Sequence, residues 1–194
     1  MRIIAGEFGG RRLQAPPGIG TRPMLDRVRE ALFSTLAGHF DRGRVLDLFA
    51  GTGALGLEAL SRGSTVARMI ELDPKVTKVL QQNVADLGVA DRARVLTGDA
   101  LSPATWKDPL APKYDVVFCD PPYPMLQIGP GRERVLESLG RLGAQWLAED
   151  GVIVFHAPRG LMRESEFSGL ISRERSYGTS SIWYLGAQSP AETP

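Results

Sequence analysis

From residue 44 onward, short apolar runs of strand length alternate with segments that have the apolar spacing of a helix. Five runs are predicted as buried strands, at residues 45–49, 66–71, 93–97, 114–119 and 151–156. Three of the segments between them are predicted as helices, at residues 53–62, 74–87 and 133–147. Strands that alternate with helices of this length form a parallel sheet covered on both faces. The pattern therefore predicts an α/β fold.

The last part of the sequence departs from this alternation. Residues 173–177 and 180–185 both have strand character, and only Gly178-Thr179 separates them. Two strands this close in sequence form an antiparallel hairpin, which we place at an edge of the sheet. We therefore predict a mostly parallel seven-stranded sheet in a domain at residues 41–186, followed by a disordered tail at residues 187–194.

Residues 1–40 are predicted to form a small extension that contains a hairpin and a helix. The hairpin would be formed by residues 2–5 and 11–14, on either side of Gly9-Gly10. The helix is predicted at residues 23–36, with Thr21 as its cap. Arg29 falls on the apolar face of this helix, so it needs a carboxylate or a ligand, or a stem that reaches the edge of the protein. The apolar positions of that face are Leu25, Val28, Leu32 and Leu36.

Positive charge is concentrated at the beginning of the chain. The net charge is only +1, yet residues 1–44 contain eight arginines and no lysine, against four acidic residues. Arginine forms bidentate contacts with phosphate and stacks on bases better than lysine does. The segment is therefore either a contact surface for nucleic acid or a solvated surface that is rich in arginine. The candidate RNA-contacting residues are Arg2, Arg11, Arg12, Arg22 and Arg27.

A glycine-rich loop joins the first predicted strand to its helix. Gly51, Gly53 and Gly56 match G-x-G-x-x-G, the fingerprint of dinucleotide-binding loops, in the strand-to-helix context that it requires. Glu71 follows Gly51 by 20 residues and ends the next predicted strand, where an acid typically binds ribose hydroxyls. The pattern predicts a cofactor that contains adenosine.

Four acidic residues, Asp47, Glu71, Asp99 and Asp120, lie at or just after the carboxyl ends of predicted strands. Ligands of such sheets bind at this edge. Carboxylates there would repel the pyrophosphate of a dinucleotide and attract the ammonium and sulfonium groups of S-adenosylmethionine. Helix capping would explain Asp73 and even Asp99, but not the joint placement of the four acids. S-adenosylmethionine is therefore the expected cofactor.

The segment Asp120-Pro121-Pro122-Tyr123 follows the fourth predicted strand. Because proline has no backbone N–H, the segment offers mainly hydrogen-bond acceptors beside an aromatic ring. Such a surface suits a planar base whose exocyclic amine donates hydrogen bonds while its ring stacks on Tyr123. The alternative is a strand that ends in a rigid proline turn.

Several classes of protein are not expected from this sequence. It has no run of about 18 apolar residues that would predict a membrane span, and its first residues lack the apolar stretch of a secretory signal. Cys119 is the only cysteine, which excludes an internal disulfide and fits a cytoplasmic protein. His39 and His156 lack zinc-ligand spacing. We expect a cytoplasmic monomer without a metal or a membrane partner.

Together these features resemble the class I S-adenosylmethionine-dependent methyltransferases, which have a Rossmann-like fold, and among them the amino-methyltransferases with the motif D/N-P-P-Y/F. Further similarity, at residues 2–6, 21–23, 26–33 and 47–63, is to the RsmD-type bacterial 16S rRNA guanine-N2 methyltransferases. The resemblance covers about two thirds of the chain. It implies methylation of one guanine, number 966 by convention, in the 16S rRNA of small-subunit assemblies. A threonine often follows Arg-Pro in this family, whereas Met24-Leu25 stand in that region here.

The resemblance also implies roles for the candidate site residues. The glycine loop would lie under the methionine part of the cofactor, Glu71 would bind the ribose and Asp99 the adenine amine. The implied cofactor-binding residues are Asp47, Phe49, Gly51, Thr52, Gly53, Glu71, Asp73, Asp99 and Ala100. The implied catalytic residues are Asp120, Pro121, Pro122 and Tyr123.

As a hypothesis, Asp120 and the carbonyl of Pro121 accept the two protons of guanine N2, while residues 124–132 form a mobile lip over the base. Four alternatives stay open at this point. Two are methyltransferases, one for adenine N6 in DNA or RNA and one for glutamine in proteins, although the latter favours asparagine at position 120. The others are a nicotinamide dehydrogenase and a non-catalytic RNA-binding assembly factor.

Overall fold

The computed structural model describes residues 1–16, 24–109 and 112–187. Its strands are β1 (Arg44–Leu48), β2 (Val66–Glu71), β3 (Ala93–Thr97), β4 (Tyr114–Cys119), β5 (Leu147–Pro158), β6 (Leu170–Tyr177) and β7 (Ser180–Ala187). Its α-helices are α1 (Asp26–Thr35), α2 (Ala54–Ser61), α3 (Pro74–Leu87), α4 (Pro103–Trp106) and α5 (Pro130–Gln145). Short 3-10 helices cover Ala37–His39, Tyr123–Leu126 and Glu164–Glu166.

The strands form one sheet in the order β3-β2-β1-β4-β5-β7-β6. Strands β1 to β5 run parallel, and β7 lies antiparallel between β5 and β6. This arrangement confirms the predicted α/β fold, with a mostly parallel seven-stranded sheet and a C-terminal antiparallel hairpin. β1 has β2 on one side and β4 on the other, so the direction of winding reverses there. Such a switch point is where ligands bind in sheets of this kind.

Most predicted boundaries lie within one residue of the observed ones, and the larger differences have physical reasons. The second, third and fourth predicted strands coincide with β2, β3 and β4. β5 begins at Leu147 rather than at residue 151, because Leu147 already pairs with Tyr114 ahead of a bulge. α5 begins three residues earlier than predicted, at Pro130, where the fixed backbone angle of proline suits the first helical turn. The short helix α4 was not predicted. The proposed tail lies almost wholly outside the described residues.

Successive strand residues pack into two cores, one on each face of the sheet. On β1, Val45 packs with residues of α1, α2 and α3, whereas Leu46 packs with residues of α5. On β4, Val116 packs into the same core as Val45, and Val117 packs into the same core as Leu46. Strands that are covered on both faces are apolar at nearly every position, which explains why the strand signal in the sequence is almost continuous.

The N-terminal extension is present with two differences from the prediction. The hairpin is reduced to a single antiparallel bridge between Arg2 and Arg12. α1 begins at Asp26, later than predicted, and Leu25 is 57% exposed because it precedes the first helical turn. The predicted cap, Thr21, lies outside the described residues.

The beginning of the chain is fastened to α2 through main-chain contacts. The Glu58 carboxylate accepts hydrogen bonds from the amides of Ile4 (2.6 Å) and Ala5 (3.1 Å). Gly6 has a φ of +84° and passes so close to α2 that a Cβ would overlap the Ser61 carbonyl. Only glycine fits this position, because it alone combines a positive φ with no side chain.

Arg29 is buried on the apolar face of α1, as the helical wheel indicates. Its guanidinium donates to the Asp26 carboxylate (3.1 Å) and to the Arg2 carbonyl (2.5 Å). Of the possibilities left open for Arg29, the carboxylate partner is the one observed. Burial lowers the pKa of Arg29 from its ordinary value, while the nearby carboxylates of Asp26 and Glu58 oppose that shift.

Candidate active site

The carboxyl ends of four neighbouring parallel strands form an acidic edge, which consists of Asp47, Glu71, Asp99 and Asp120. Asp47 lies within β1 and Glu71 ends β2, whereas Asp99 and Asp120 follow β3 and β4. Because β3, β2, β1 and β4 are adjacent, these residues lie along one edge of the sheet, as predicted. The negative charges of Asp120 and Glu71 both reach Asp47 and help to raise its pKa.

The loop between β1 and α2 has a backbone conformation that few side chains allow. Gly51 and Gly53 have φ values of +56° and +88°, in the left-handed region that favours glycine. Phe49 has a φ of +59°, which is strained for an aromatic residue and typical of functional loops. Beyond its chain neighbours, no atom lies within 4 Å of the point that a Cβ on Gly51 would occupy. A ligand could therefore approach the backbone of this loop closely.

Asp47 lies beneath the loop and is only 1% exposed. Its Oδ2 accepts a hydrogen bond from the amide of Gly56 (2.8 Å), and a Cβ on Gly56 would come within 3.2 Å of that oxygen. Burial raises the pKa of Asp47 to about 8, and the charges of Asp120 and Glu71 add to the rise, while the Gly56 amide opposes it. Without a nearby cation, Asp47 is therefore mostly protonated at neutral pH.

Glu71 connects the glycine loop to the end of β2. Its carboxylate accepts hydrogen bonds from the amides of Gly51 and Asp73, both at 2.9 Å. A carboxylate has about four acceptor positions, so capacity is left for the hydroxyls of a ribose. Asp73 is the N-cap of α3, since its side chain accepts from the Lys75 amide (2.7 Å), as the capping alternative predicts.

Asp99 is already engaged by two donors. Its carboxylate accepts from the Leu101 amide (2.9 Å) and from the guanidinium of Arg134 (2.8 Å). Burial alone would raise the pKa of Asp99, but these two donors hold it below its ordinary value. Asp99 is thus a stable carboxylate, and the neighbouring Ala100 is buried.

The segment Asp120–Tyr123 is both a rigid turn and an accessible surface. Pro121 is buried, while Pro122 and Tyr123 are exposed. Tyr123 opens a 3-10 helix in which the Met125 amide donates to the Pro122 carbonyl (2.9 Å). The side chain of Asp120 is 32% exposed, so both a carboxylate and an aromatic ring of this turn are accessible.

A histidine on β5 completes this surface and was not predicted as part of the site. The Nδ1 atom of His156 lies 2.8 Å from Oδ1 of Asp120. The rings of Tyr123 and His156 meet edge to face, with 5.9 Å between their centroids. The role of His156 depends on a contact with a carboxylate and not on zinc-ligand spacing. The available signal was its place at the end of a predicted strand.

Asn83 on α3 was also missed, although it connects the glycine loop to the N-terminal extension. It is buried, and its side-chain amide donates to the carbonyls of Thr52 (3.0 Å) and Gln14 (3.1 Å). Its side-chain oxygen accepts from the Gln14 amide (2.7 Å). An asparagine on the inner face of an amphipathic helix was the signal for this role.

The predicted RNA-contacting arginines are exposed wherever the structure describes them, namely at Arg2, Arg11, Arg12 and Arg27. Arg22 lies outside the described residues. Arg2 and Arg12 line a cleft of about 520 Å³ on the N-terminal extension. Arg11 also donates to the Asp86 carbonyl (2.6 Å), which holds this part of the extension on α3.

The irregular segment within the predicted lip at residues 124–132 is shorter than expected. The 3-10 helix Tyr123–Leu126 and the start of α5 at Pro130 leave three residues outside regular structure. The Arg132 guanidinium donates to the carbonyls of Leu126 (2.9 Å) and Leu161 (2.8 Å), which fixes the base of the loop. Ile128 at its tip is 96% exposed.

Within the described residues, no helix is long and apolar enough to cross a membrane. No group of three or more metal-ligating side chains comes together in the part of the chain that the structure describes.

Comparison with known proteins identifies similar chains over nearly the full length. The family model described as conserved hypothetical protein 95 matches residues 1–186. Ribosomal RNA small subunit methyltransferase D of Escherichia coli strain K12 is 41% identical over 155 residues, which are 79% of this chain and 72% of that protein. YlbH of Bacillus subtilis, named as a candidate rRNA methyltransferase, is 35% identical over 185 residues, 94% of this chain and 96% of that one. The solved structure of yhhF, a candidate methyltransferase of Escherichia coli, superposes with a TM-score of 0.80 at 34% identity and covers 97% of this chain and 99% of that one.

Proposed function

Since the chain belongs to the conserved hypothetical protein 95 family, the family of ribosomal RNA small subunit methyltransferase D, we propose that it methylates the exocyclic N2 of a guanine in small-subunit rRNA. S-adenosylmethionine is the methyl donor in this proposal, and the guanine is the one numbered 966 by convention. One observation carries the proposal beyond family membership. The accessible segment Asp120–Tyr123 lies at the same sheet edge as the glycine loop, so an amine acceptor adjoins a cofactor loop.

The described residues fit the proposed cofactor. The open backbone at Gly51 gives room for the methionine part, and Glu71 has acceptor capacity for the ribose hydroxyls. Asp73, Asp99 and Ala100 would border the adenine, with Phe49, Thr52 and Gly53 in the loop below. The bound cofactor supplies an electrophilic methyl group on a positively charged sulfur.

Asp47 would respond to that positive charge. A cation close to a carboxyl group favours its ionised form and lowers its pKa. The pKa of Asp47 is about 8 because the group is buried, so binding of a cation would release a proton near neutral pH. Asp47 thereby changes from a neutral carboxyl group, hydrogen-bonded to the Gly56 amide, to a carboxylate that balances the positive charge of the cation.

The amine is held by the turn after β4. Asp120 and the carbonyl of Pro121 would accept the N–H groups of guanine N2, while the exposed ring of Tyr123 stacks on the base. As the new N–C bond forms, the S–C bond of the donor breaks, and the amine gives up one proton to Asp120 or to water. Holding nitrogen and methyl in line supplies much of the acceleration through orientation. The base has to be unpaired or flipped out to reach this site.

Residues 1–40 form the RNA-contacting extension in this proposal, acting with the methyltransferase domain at residues 41–186. Arg2, Arg11, Arg12 and Arg27 are exposed on it and would contact phosphates. The arginine at position 22 would join them. The protein would act in the cytoplasm as a monomer on small-subunit assemblies.

The proposal is tested by incubating the protein with labelled S-adenosylmethionine and small subunits that lack the modification, and then identifying the labelled nucleoside. We expect N2-methylguanine at a single position. Asp120→Ala should abolish transfer and leave cofactor affinity largely unchanged, because in this proposal Asp120 contacts the target amine and not the cofactor. Label in N6-methyladenine would favour the adenine alternative, and binding of RNA without any cofactor binding would favour an assembly factor.

A further inference from the structure

His156 provides the hydrogen-bond donor that fixes the Asp120 carboxylate. Its Nδ1 lies 2.8 Å from Asp120 Oδ1. An ionised carboxylate can only accept, so the Nδ1 atom carries the hydrogen in this contact. The contact engages one oxygen of Asp120 and leaves Oδ2 without a partner among the described residues.

The sheet itself brings the two side chains together. Cys119 at the end of β4 pairs with Phe155 on β5. Asp120 and His156 each follow one residue later, so their side chains point to the same face of two adjacent parallel strands. On its other side, His156 pairs with Ile182 of β7, which holds the β5 backbone from both directions.

The fold alone does not explain a histidine at this position. The side chain of His156 is only 6% exposed, and its Nε2 is buried with no hydrogen-bond partner among the described residues. A buried polar atom without a partner costs free energy that an apolar side chain of similar size would avoid. Residues that break local rules in this way are expected at functional sites. The contact with Asp120 is what the imidazole provides and an apolar ring would not.

We propose that His156 is a positioning residue for methyl transfer, which holds the Asp120 carboxylate in the rotamer that presents Oδ2 to the target amine. This inference rests on the proposed function, because it assigns the orientation of the amine acceptor within that site. His156 acts through Asp120 and does not touch the base. Tyr123, packed against the imidazole edge, is held by the same arrangement.

The first test compares His156→Phe with His156→Asn. Phenylalanine keeps the packing against Tyr123 but removes the donor, whereas the amide nitrogen of asparagine occupies nearly the position of Nδ1. We expect His156→Phe to lower kcat roughly 10- to 100-fold, the scale of a misplaced reacting group, with KM for small subunits and cofactor affinity changed less than about twofold. His156→Asn should recover most of the loss. Equal losses in both variants would overturn the proposal.

The second test combines His156→Phe with Asp120→Asn. If His156 acts through the Asp120 carboxylate, its substitution should have no further effect on kcat once that carboxylate is gone. Independent, multiplicative losses would contradict this. A purely structural role would instead lower the free energy of unfolding in step with kcat, and urea unfolding of each variant detects that outcome.

The third test does not depend on activity. In the free protein, the Nδ1 proton of His156 should give a slowly exchanging, downfield NMR resonance that disappears in Asp120→Ala. Absence of this resonance would overturn the proposal. Failure of the proposed function would look different, as lack of methyl transfer by the wild-type protein to any small-subunit rRNA.

Discussion

Asp47 shows how burial changes the chemistry of a residue that the sequence presents as a simple negative charge. Its place near the end of a strand is correctly predicted, but its depth is not. The loop begins two residues further along, at Phe49, which is only partly buried. Asp47 instead lies under it, bound to Gly56, and its pKa rises to about 8.

This pKa predicts how stability depends on pH. In the folded protein Asp47 holds its proton up to about pH 8, whereas in the unfolded chain the ordinary value of 3.8 applies. The folded state therefore binds more protons between these values, and the free energy of unfolding falls as the pH rises from about 4 to 8. We expect Asp47→Asn to be more stable than wild type at pH 8 by a few kcal/mol, and by much less at pH 4.

Urea unfolding at a series of pH values measures the difference between wild type and Asp47→Asn. Asp150 is exposed, so Asp150→Asn serves as the control and should follow the wild type. A difference between wild type and Asp47→Asn that stays constant with pH would contradict the prediction.

The candidate site was predictable only where its residues are local in sequence. Gly51, Glu71 and Asp120 belong to short motifs, and each was identified from its spacing to a strand end. His156 contacts Asp120, which is 36 residues away in the sequence, and Asn83 contacts Thr52, which is 31 residues away. Only folding of the chain brings these residues together. The local signals, a histidine at a strand end and an asparagine on the inner face of a helix, do not identify these partners.

At the level of elements, the contact between the beginning of the chain and α2 depends on one buried acid. Glu58 is fully buried and accepts from the Ile4 and Ala5 amides and from Arg62 (2.8 Å). Glu58→Ala would leave these donors without a partner in the interior. We expect a loss of about 3 to 5 kcal/mol in the free energy of unfolding, and a smaller loss for Glu58→Gln, which keeps one acceptor.

The chain contains a matched control for that prediction. Glu137 and Arg141 form a second glutamate–arginine pair with the same i,i+4 spacing (2.7 Å), but both side chains are exposed. Glu137→Ala should cost less than about 1 kcal/mol. Comparable losses from Glu58→Ala and Glu137→Ala in urea unfolding would show that burial is not the cause.

Element boundaries were predicted best where the chain is regular. β2, β3 and β4 have the predicted bounds because apolar runs and their flanking turns mark both ends. The start of β5 depends on pairing with Tyr114, a contact that is distant in sequence. The start of α1 lacks a capping side chain at Leu25, so no local signal marked it.

At the level of the whole molecule, the arginine-bearing extension and the glycine loop, which we propose to bind the cofactor, are mechanically connected. Asn83 binds Gln14 on one side and Thr52 on the other. RNA that orders the extension should therefore also favour one conformation of the loop. Such coupling is reciprocal, so cofactor should tighten RNA binding by the same factor.

Asn83→Ala tests this connection. We expect RNA to tighten cofactor binding in the wild type about fivefold or more, the lower range of measured couplings, and to have little effect in the variant. Isothermal titration with and without RNA measures both. Gln82 lies on the exposed side of the same helix, and its only side-chain partner among the described residues is Asp86, so Gln82→Ala should keep the coupling. Full coupling in Asn83→Ala would refute the connection.

The position of β7 between β5 and β6 has a consequence for how the protein is made. The seventh strand in chain order is an interior strand, and it pairs with β5 beside His156. While the chain is being synthesised, β5 and β6 emerge before β7, the strand that pairs with both. Until β7 has emerged, β5 lacks its neighbour on the side of His156, the residue that contacts Asp120. In the proposed function the protein acts on small ribosomal subunits. Its own active site would thus be completed only after most of the chain has left the ribosome that synthesises it.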